Sequence, residues 1–255
     1  MFLIAGMGYV GKAVQNSILA AGMAPPLIID IGRLGMNTWD EVNFDKLDGV
    51  IICVSTPQAA DGSCDYTNVL EVLSHIPEDT SVLIKSTISL EAWHQIREHY
   101  PRHLIAFSPE FLTANNAIED YKNQKFIVLS GDELYHWQLF FKQTVTGNII
   151  LCSPEEAILA KYASNAFLAV KVGFFNHIYD IAKHAGVNYD KVREILGNRP
   201  QIGLNHTAIT DERGWGGHCF PKDVSALLHT ANSYNYKMKI VEAAVEYNNE
   251  IRKVD

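Results

Sequence analysis

The stretch "FLIAGMGYVGKAV", residues 2–14, decides how the first half of this sequence folds. A short apolar run leads directly into glycines that have the spacing G-x-G-x-x-G, and a helical pattern follows them. A strand, a glycine turn and a helix in this order allow the amides of the helix N-terminus to approach a pyrophosphate closely. The stretch therefore predicts a dinucleotide-binding turn, whose cofactor contacts we expect to be Gly6, Gly8, Tyr9, Val10 and Gly11.

The next apolar run, "PLIID" at residues 26–30, supports the same interpretation. It predicts a second strand that ends at Asp30, about 20 residues beyond the glycines, where an acidic side chain binds the ribose hydroxyls of the cofactor. A carboxylate at this position would repel a 2′-phosphate, so Asp30 favours NAD over NADP. Arg33 lies close by in the sequence and is the kind of side chain that a 2′-phosphate would need.

Four further apolar runs predict an open, parallel, doubly wound sheet of the Rossmann type, because helical patterns lie between them. Ligands bind at the carboxyl ends of the strands in such a sheet. The residues expected at that rim are Thr56, Pro57, Thr87 and Glu110. The threonines would otherwise serve as turn or helix-cap residues, and the glutamate as an ordinary first-turn helix acid. The four runs are "GVIICVSTP" (49–57), "SVLIKSTIS" (81–89), "LIAFSPEFL" (104–112) and "KFIVLSG" (125–131).

The second half of the sequence is predicted to be an all-helical domain with one long central helix. Ser153 as N-cap, Pro154 at the first helical position and Glu156 three residues after the cap give the start signal. Gly186 gives the stop signal, so the helix has about thirty residues. We therefore predict two domains, a dinucleotide-binding domain at 1–152 and a helical domain at 153–255.

Two polar residues of the long helix, Lys161 and Asn165, lie one turn apart. Their side chains can present hydrogen-bond donors to one oxygen atom. Such a pair is otherwise ordinary solvated surface. The residues that can face a core from the same helix are Ile158, Tyr162, Ala166 and Ala169.

The decapeptide "GWGGHCFPKD", residues 214–223, is poor material for a core or a regular strand. Pro221 indicates a helix start, which places Cys219 at a helix N-terminus beside Lys222, and both features favour a thiolate. The glycines allow another molecule to approach the main chain. Cys219 would otherwise be a small buried residue. Asp223 suits proton transfer or the holding of a water molecule, or is an early-helix acid.

The composition excludes several other classes of protein. A formal charge of −8 and a pI of about 5.7 over 255 residues lack the basic footprint of a nucleic-acid-binding protein. We expect no secretory signal and no apolar stretch of membrane-spanning length. The four cysteines have neither paired nor metal-ligand spacing, so we expect reduced thiols, no metal and a cytoplasmic protein.

Taken together, the motifs resemble the UDP-glucose/GDP-mannose dehydrogenase family. They occur in the order typical of that family and extend over nearly the whole chain, and the cysteine motif is the most specific of them. They are "GMGYVG" (6–11), "CVSTP" (53–57), "KSTIS" (85–89), "SPEFL" (108–112), "AKYASNAFLAVK" (160–171) and "GWGGHCFPKD" (214–223).

The resemblance implies a four-electron oxidation of a nucleotide sugar, with UDP-glucose as the expected substrate, at the C6 alcohol by NAD. It implies that Cys219 captures the aldehyde as a thiohemiacetal, which is oxidised to a thioester and hydrolysed to the uronate. Lys161 and Asn165 would stabilise oxyanions. The implied residues for proton transfer and water placement are Asp223, Thr87 and Glu110, with Thr56 and Thr87 also lining the dinucleotide site. The implied substrate contacts are Phe111, Leu112, Lys161, Asn165, Gly216 and Arg199.

The sequence departs from the family pattern in three places. Ala114 stands where a second acid is expected. Residues 201–203 read Gln-Ile-Gly instead of Arg-Ile-Gly, whose arginine binds substrate across a dimer, so Arg199 or Arg213 would have to replace it. Typical members also continue into a second Rossmann-like domain that binds the nucleotide part of the substrate, whereas this sequence ends at Asp255.

Two alternatives stay open at this stage. A two-electron hydroxyacid dehydrogenase also combines a Rossmann domain with a helix that bears Lys and Asn, but it needs no cysteine nucleophile. A catalytically silent or partner-dependent NAD-binding short form would explain the length. The resemblance also implies a homodimer with the long helix at its interface, and the apolar run "AFLAVKVGFF" (166–175) is compatible with it.

Overall fold

The computed structural model describes residues 1–30, 37–113 and 116–252. The chain divides into two compact units. A sheet unit comprises Met1–Ala59 and Cys64–Lys161, and a helical unit comprises Ala60–Ser63 and Tyr162–Asp255. The contacts divide the chain between residues 161 and 162, within a helix. The domain boundary expected after residue 152 stays a prediction.

The described part of the sheet unit contains one seven-stranded sheet. Its strands are β1 (Phe2–Ala5), β2 (Leu27–Ile29), β3 (Gly49–Ile52), β4 (Ser81–Ile84), β5 (Leu104–Phe107), β6 (Phe126–Gly131) and β7 (Asn148–Leu151). Their order is β2-β1-β3-β4-β5-β6-β7, so the chain reverses its direction across the sheet at β1. In β1 and β3 every residue is buried, as expected for parallel strands that are covered on both faces.

The expectation of a wholly parallel sheet is wrong at one pairing, so that two strands, β6 and β7, run opposite to the other five. β6 runs antiparallel to β5, with Phe107 opposite Ser130, and β7 is parallel to β6. An apolar run gives the existence of a strand but not its direction, because both directions bury the same side chains. β7 was not predicted at all. Three of its four residues are exposed, so it lacks the apolar signal of the inner strands.

Five helices of the sheet unit flank this sheet and build its core. They are α1 (Tyr9–Ala20), α2 (Thr67–Ser74), α3 (Leu90–His99), α4 (Ala117–Lys122) and α5 (Leu134–Thr144). Two short 3-10 turns, Trp39–Glu41 and Phe44–Lys46, precede β3. Trp137 and Phe141 of α5 pack with Leu83 of β4 in one cluster and have almost no exposed surface. Burial of each such side chain contributes about 1.5–3 kcal/mol to the stability of the sheet unit.

A long helix, α6 (Pro154–His184), starts in the sheet unit and continues through the helical unit. Its 31 residues and its capping box confirm the prediction: the Ser153 amide donates to the Glu156 carboxylate at 2.8 Å, and the Glu156 amide donates to the Ser153 hydroxyl at 3.2 Å. Gly186 follows the helix with a φ of +68°. The four predicted core residues of α6 are all buried: Ile158, Tyr162, Ala166 and Ala169.

The helical unit continues with α7 (Tyr189–Gly197), α8 (Cys219–Ser233) and α9 (Lys239–Ile251), and the described residues between α7 and α8 form no regular element. The predicted fold class, a doubly wound sheet followed by a helical part with a long central helix, is therefore confirmed apart from the direction of β6. The expectation that no apolar stretch reaches membrane-spanning length is corrected. α6 is long enough, and an 18-residue window within it has a mean hydropathy of 1.2, which meets the criteria for a membrane-spanning helix. Core helices of soluble proteins meet the same criteria.

Candidate active site

The predicted glycine turn follows β1, at the point where the strand order reverses. A Cβ atom on Gly6, which has a φ of +95°, would lie 2.7 Å from the Cys53 carbonyl oxygen, and one on Gly11 would lie 2.0 Å from the Gly6 carbonyl oxygen. These two glycines are therefore required by the packing of the turn itself. A Cβ on Gly8 would have no neighbour within 4 Å, so this position leaves the space that an approaching pyrophosphate needs.

The carboxylate of Asp30 lies at the same turn. Its Oδ2 accepts a hydrogen bond of 2.7 Å from the amide of Met7, between the first two glycines of the motif. Tyr9, at the first position of α1, is exposed, and Val10 is half-buried against the core. The turn, the helix N-terminus and the acidic side chain thus fit a dinucleotide with unmodified ribose hydroxyls. Arg33, which would suit NADP, lies outside the described residues.

Residues at the carboxyl ends of β3 and β4 lie next to each other, as predicted. The hydroxyl of Thr56 donates to the carbonyl oxygen of Thr87 at 2.6 Å. Thr56 is buried and Thr87 is half-buried, whereas Pro57 is exposed. The structure thus brings the two threonines together at the rim where a sheet of this type binds its ligand.

Glu110 follows β5 and is buried, with 6% of its surface exposed. The next residue, Phe111, packs against Phe126 with a ring distance of 5.3 Å. The ammonium of Lys161 lies 5.4 Å above the Phe111 ring, so Lys161 is a buried cation of the sheet unit and not a solvated surface residue. Leu112 packs against the core of the sheet.

Lys85, the first residue of the motif "KSTIS" (85–89), was not predicted to belong to the site. Lys85 is 3% exposed, and its ammonium donates to the carbonyl oxygen of Ser108 at 2.9 Å. Burial lowers the pKa of Lys85, and the charge of the nearby Glu110 carboxylate opposes this shift. Lys85 directly follows three buried apolar residues of β4, but a lysine after a strand is usually solvated, so this position gives only a weak sequence signal. Burial also raises the pKa of the Cys53 thiol to about 12.

In the helical unit, Asn165 and Asp223 are hydrogen-bonded although 58 residues separate them in the sequence. The Asn165 amide donates to one carboxylate oxygen of Asp223 at 2.5 Å, and the Lys222 ammonium donates to the other at 2.5 Å. Asp223 is 1% exposed, so these two donors compensate the cost of burying its charge. Asn165 of α6 and Asp223 of α8 therefore belong to one polar network, together with Lys222.

Cys219 is the first residue of α8, as the position of Pro221 predicted, and its side chain is half-buried. All four cysteines are described, and none of them forms a disulfide. Gly217, two residues earlier, has a φ of +77°, and a Cβ atom there would have no neighbour within 4 Å. The thiol thus lies at a helix N-terminus and follows an open stretch of main chain, which suits a nucleophile that a substrate must reach.

The other two glycines of the cysteine motif accommodate the chain itself. A Cβ on Gly214 would lie 2.2 Å from Asn248 Oδ1, and one on Gly216 would lie 2.3 Å from Arg252 Nη2. Sequence reasoning assigned these glycines to the approach of a ligand. In the structure their space is taken by side chains of α9 and of the residue that follows it, which carry no local sequence signal.

The two candidates for the missing substrate arginine differ in their surroundings. Arg213 forms an ion pair with Asp180 at 2.7 Å and donates to Asn176 Oδ1 at 2.8 Å, so it is already used within the helical unit. Arg199 is exposed and lies in the turn after α7. Ala114, the second departure from the family pattern, lies outside the described residues.

A cavity of about 670 Å³ in the helical unit is lined by Arg213 and by none of the other candidate site residues. Three of its polar side chains have partners in the chain, because Arg213 pairs with Asp180 while Tyr189 and Arg193 contact Thr207. We therefore give it no role in catalysis. The described residues also contain no group of three or more histidine, cysteine or acidic side chains that could hold a metal ion.

The fold and these contacts define a dinucleotide-binding protein whose helical unit carries a cysteine at a helix N-terminus. Two sequence profiles of one family match it: the NAD binding domain of the UDP-glucose/GDP-mannose dehydrogenase family over residues 27–140, and the central domain of that family over residues 155–250. The chain belongs to the UDP-glucose/GDP-mannose dehydrogenase family. The first of these matches confirms NAD as the predicted cofactor.

Curated relatives agree with this assignment. The chain is 30% identical over 233 residues to UDP-glucose 6-dehydrogenase YwqF of Bacillus subtilis, which covers 86% of this chain and 52% of the relative. It is 31% identical over 245 residues to UDP-glucose 6-dehydrogenase of Pseudomonas aeruginosa, covering 88% of this chain and 53% of the relative. The chain thus spans about half the length of the curated relatives that it matches.

Solved structures give the same fold. A UDP-glucose dehydrogenase from the archaeon Pyrobaculum islandicum superposes with a TM-score of 0.81 at 25% identity, over 98% of this chain and 68% of that one. A UDP-D-ManNAc dehydrogenase from Pyrococcus horikoshii superposes with a TM-score of 0.78 at 19% identity, over 98% of this chain and 69% of that one. The second likeness supports the fold alone.

Proposed function

We propose that this chain carries out an NAD-dependent, four-electron oxidation of a nucleotide sugar, with UDP-glucose as the substrate, from the C6 alcohol to the uronate. The observation that supports it most strongly is the half-buried Cys219 at the N-terminus of α8, four residues before a buried Asp223 that Asn165 and Lys222 hold. A two-electron dehydrogenase would have no use for this thiol.

The glycine turn would hold the cofactor, with the pyrophosphate at Gly8 and the ribose hydroxyls at Asp30. Thr56 and Thr87 would line the same site from the ends of β3 and β4. NAD, when bound, accepts a hydride from the sugar in each of the two oxidations. The packing of Gly6 and Gly11 allows the turn to approach the cofactor without distortion.

Cys219 would act after the first oxidation. Its thiolate adds to the carbonyl carbon of the aldehyde and forms a thiohemiacetal, which is oxidised to a thioester when it loses a second hydride. Attack by water on the thioester then releases the carboxylate and returns the thiol. Cysteine suits both halves of this sequence because a thiolate is a good nucleophile for a carbonyl and a good leaving group from an acyl carbon.

The polar residues would stabilise charge and move protons. Lys161 and the second N–H of the Asn165 amide would donate to the oxyanions that form at the C6 oxygen, while the first N–H holds Asp223. Asp223 and Glu110 would serve proton transfer and place the attacking water, with Thr87 as a further contact. The remaining proposed substrate contacts are Phe111, Leu112, Gly216 and Arg199.

We further propose that the protein is a homodimer that pairs through α6. Exposed or half-buried residues recur along this helix at alternating intervals of three and four, the pattern of a helix–helix seam. Phe167, Phe174 and Ile181 are 65%, 56% and 66% exposed, which is unusual for large apolar side chains seven residues apart on one helix face. Light scattering should give twice the monomer mass of 28.5 kDa at assay concentration, and a monomer would remove this proposal.

Because the proposed reaction uses a reduced thiol, we propose that the protein acts in the cytoplasm.

The decisive experiment counts NADH formed per sugar consumed. The purified chain is given NAD with UDP-glucose, and then with related UDP-sugars and GDP-sugars. Two NADH per sugar support the proposal, and Cys219→Ser should lose the second oxidation while it retains NAD binding. One NADH per sugar in the unchanged protein, or full oxidation by Cys219→Ser, would point to a simple alcohol dehydrogenase.

A second candidate function rests on the length of the chain. Because the chain spans about half of its curated relatives, the second candidate is NAD binding by a chain that needs a partner for turnover or has no catalysis of its own. No NADH from any sugar, with NAD binding intact by calorimetry, is the result that favours this candidate.

A further inference from the structure

The loop that precedes Cys219 is held by side chains from distant parts of the helical unit. Asn248 of α9 makes two hydrogen bonds with one residue of this loop: its Oδ1 accepts from the Trp215 amide at 2.7 Å, and its Nδ2 donates to the Trp215 carbonyl oxygen at 3.1 Å. Asn248 is 5% exposed. A single buried side chain thus pairs with both main-chain groups of Trp215 and fixes the position of this peptide.

A second contact comes from the residue that follows α9. Arg252 lies four residues after Asn248, donates to the Arg213 carbonyl oxygen at 3.1 Å and to Glu212 Oε2 at 2.6 Å, and occupies the space beside Gly216. Asn248 and Arg252 therefore both contact the loop, and the loop has glycine where these contacts are closest.

A third contact comes from α6. Asn176 is 1% exposed, and its Oδ1 accepts from Arg213 Nε at 2.8 Å and from the Gly214 amide at 3.4 Å. Arg213 itself has a φ of +59°, in the left-handed region that is unfavourable for an L-residue with a side chain. The conformation of the loop is therefore not preferred by its own residues, and outside contacts have to maintain it.

We propose that Asn248 is a positioning residue for Cys219, and that it acts by fixing the path of the main chain into α8. Cys219 is the first residue of this helix, where helices fray most readily. Gly216 and Gly217 lie between Trp215 and Cys219, and two flexible glycines alone would leave the path of the main chain poorly defined. With Trp215 fixed on one side and α8 on the other, the thiol keeps one place. The proposal rests on the proposed role of Cys219 as the nucleophile.

The test is the rate at which iodoacetamide alkylates each cysteine, read by peptide mass spectrometry in Asn248→Leu. The loosened loop should expose the half-buried Cys219, so we expect its alkylation to be about fivefold faster, since local opening governs the access of a reagent. Asn249, the exposed neighbour on α9, offers the matched control, and Asn249→Leu should alkylate like the unchanged protein. Asn248→Asp keeps the acceptor for the Trp215 amide and loses the donor, so its rate should lie between the two.

Two further readouts separate positioning from general destabilisation. Cys53 and Cys64 are buried in the sheet unit and should stay protected in every variant. Turnover in Asn248→Leu should fall about tenfold or more at unchanged NAD affinity, because a displaced nucleophile loses its attack geometry. A thiol that is more accessible and less productive is the signature of lost positioning.

One outcome overturns the proposal. Faster amide exchange over residues 213–217 in folded Asn248→Leu would show that the loop is loosened, while Cys219 is alkylated no faster than in Asn249→Leu. If Asn248→Leu does not fold, which alkylation of Cys53 and Cys64 would reveal, Asn248→Asp decides by the same comparison. Absence of turnover in the unchanged protein counts against the proposed function, whereas the alkylation rates still decide the positioning role.

Discussion

The sheet unit and the helical unit position their predicted site residues in different ways. In the sheet unit, Gly8, Thr56 and Thr87 follow directly on buried strands or the turn next to them, so the register of the main chain decides where they lie. In the helical unit, Cys219 follows an irregular loop whose conformation depends on Asn176 and Asn248. A site built on strand ends can be located from local sequence, whereas a site built on a loop depends on distant polar contacts.

The same difference extends to the cores of the two units. The cluster around Trp137 and Leu83 joins buried side chains from most elements of the sheet unit. In the helical unit, one cluster has Phe175, Ala182 and Tyr189 as its buried members, while Trp215, Leu227 and Val241 are buried outside it. We expect the buried hydrogen bonds of this unit, which contribute about 1 kcal/mol each, to add to this apolar burial.

The largest effect that we expect comes from Gly11→Val in the sheet unit. The added Cβ would lie 2.0 Å from the Gly6 carbonyl oxygen, and neither atom can move aside, because the oxygen belongs to the main chain of a tight turn and the Cβ is bonded directly to that main chain. The free energy of unfolding should fall by about 4 kcal/mol, at the upper end for single substitutions. Urea denaturation measures this loss, and calorimetry should detect no NAD binding.

Gly8→Ala is the control for that substitution. Because no atom of the chain lies within 4 Å of the added methyl group, the free energy of unfolding should stay within about 0.5 kcal/mol. NAD affinity should nevertheless fall, since the pyrophosphate needs this space. Equal loss of stability in both variants would contradict the assignment of Gly8 to the cofactor and of Gly11 to packing.

A smaller effect should appear at alkaline pH. Burial raises the pKa of the Cys53 thiol from 9.0 to about 12, so the folded protein keeps a proton that the unfolded chain loses. The stabilising contribution is complete below pH 9 and is lost as the pH rises through 12. Between pH 9 and 11 the free energy of unfolding should fall by about 2 kcal/mol from this group, at about 1.4 kcal/mol per unit of pKa shift.

Cys53→Ala isolates this contribution from the other groups that titrate in the same range. The pKa of Lys85 is lowered by burial, which makes the protein more stable as the pH rises towards 10.5, and the pKa of Tyr121 is raised, with the opposite sign. Both remain in the variant, so the difference between the two stability curves belongs to Cys53 and to its electrostatic interaction with these two groups. Cys152→Ala, at a half-buried thiol, should change the slope much less. Parallel curves for the unchanged protein and Cys53→Ala would refute the prediction.

Sequence reasoning recovered the sheet unit well because its signals are local. Apolar runs predicted six of the seven strands in the described part of the sheet, and the capping box at Ser153 with Gly186 predicted both ends of α6. The residues predicted to bind the cofactor were chosen from their places after those strands. The direction of β6 was predicted wrongly, because an apolar run does not show whether a strand pairs parallel or antiparallel. β7 was not predicted, because a mostly exposed edge strand has no apolar pattern.

In the helical unit, the candidate site residues were chosen from the sequence, but the side chains that hold the loop before Cys219 were not predicted. Cys219 at a helix start and the pairing of polar residues from α6 and α8 follow from motif and spacing. Asn176 and Asn248 were not identified, because a buried asparagine that holds a loop looks in sequence like any other helix asparagine. The burial of Lys85 was missed for the same reason, since a lysine after a strand is usually solvated.

The third prediction sharpens the comparison by removing one amide from each unit. Asn176→Ala leaves the Gly214 amide and the Nε–H of Arg213 without an acceptor in a partly buried place, although Arg213 keeps its ion pair with Asp180, so the free energy of unfolding should fall by about 2 kcal/mol. Asn68→Ala removes a half-buried amide whose solvent-exposed hydrogen bond to the Ser55 carbonyl oxygen is 3.0 Å long, and should cost about 0.5 kcal/mol. Urea denaturation of both variants measures the difference, and equal losses would show that the helical unit does not depend on its buried amides.

The smallest effect should come from Ser153→Ala at the start of α6. The substitution removes one half of the capping box and should lower the free energy of unfolding by about 1 kcal/mol, as measured by urea denaturation. The cap lies two turns before Lys161 and three before Asn165, and fraying is confined to the first turn. Cys219 alkylation and turnover should therefore stay within about twofold of the unchanged protein. If Ser153→Ala instead accelerates Cys219 alkylation as much as Asn248→Leu does, then the position of the thiol depends on α6 as a whole, and the distinction between register and distant polar contacts no longer holds.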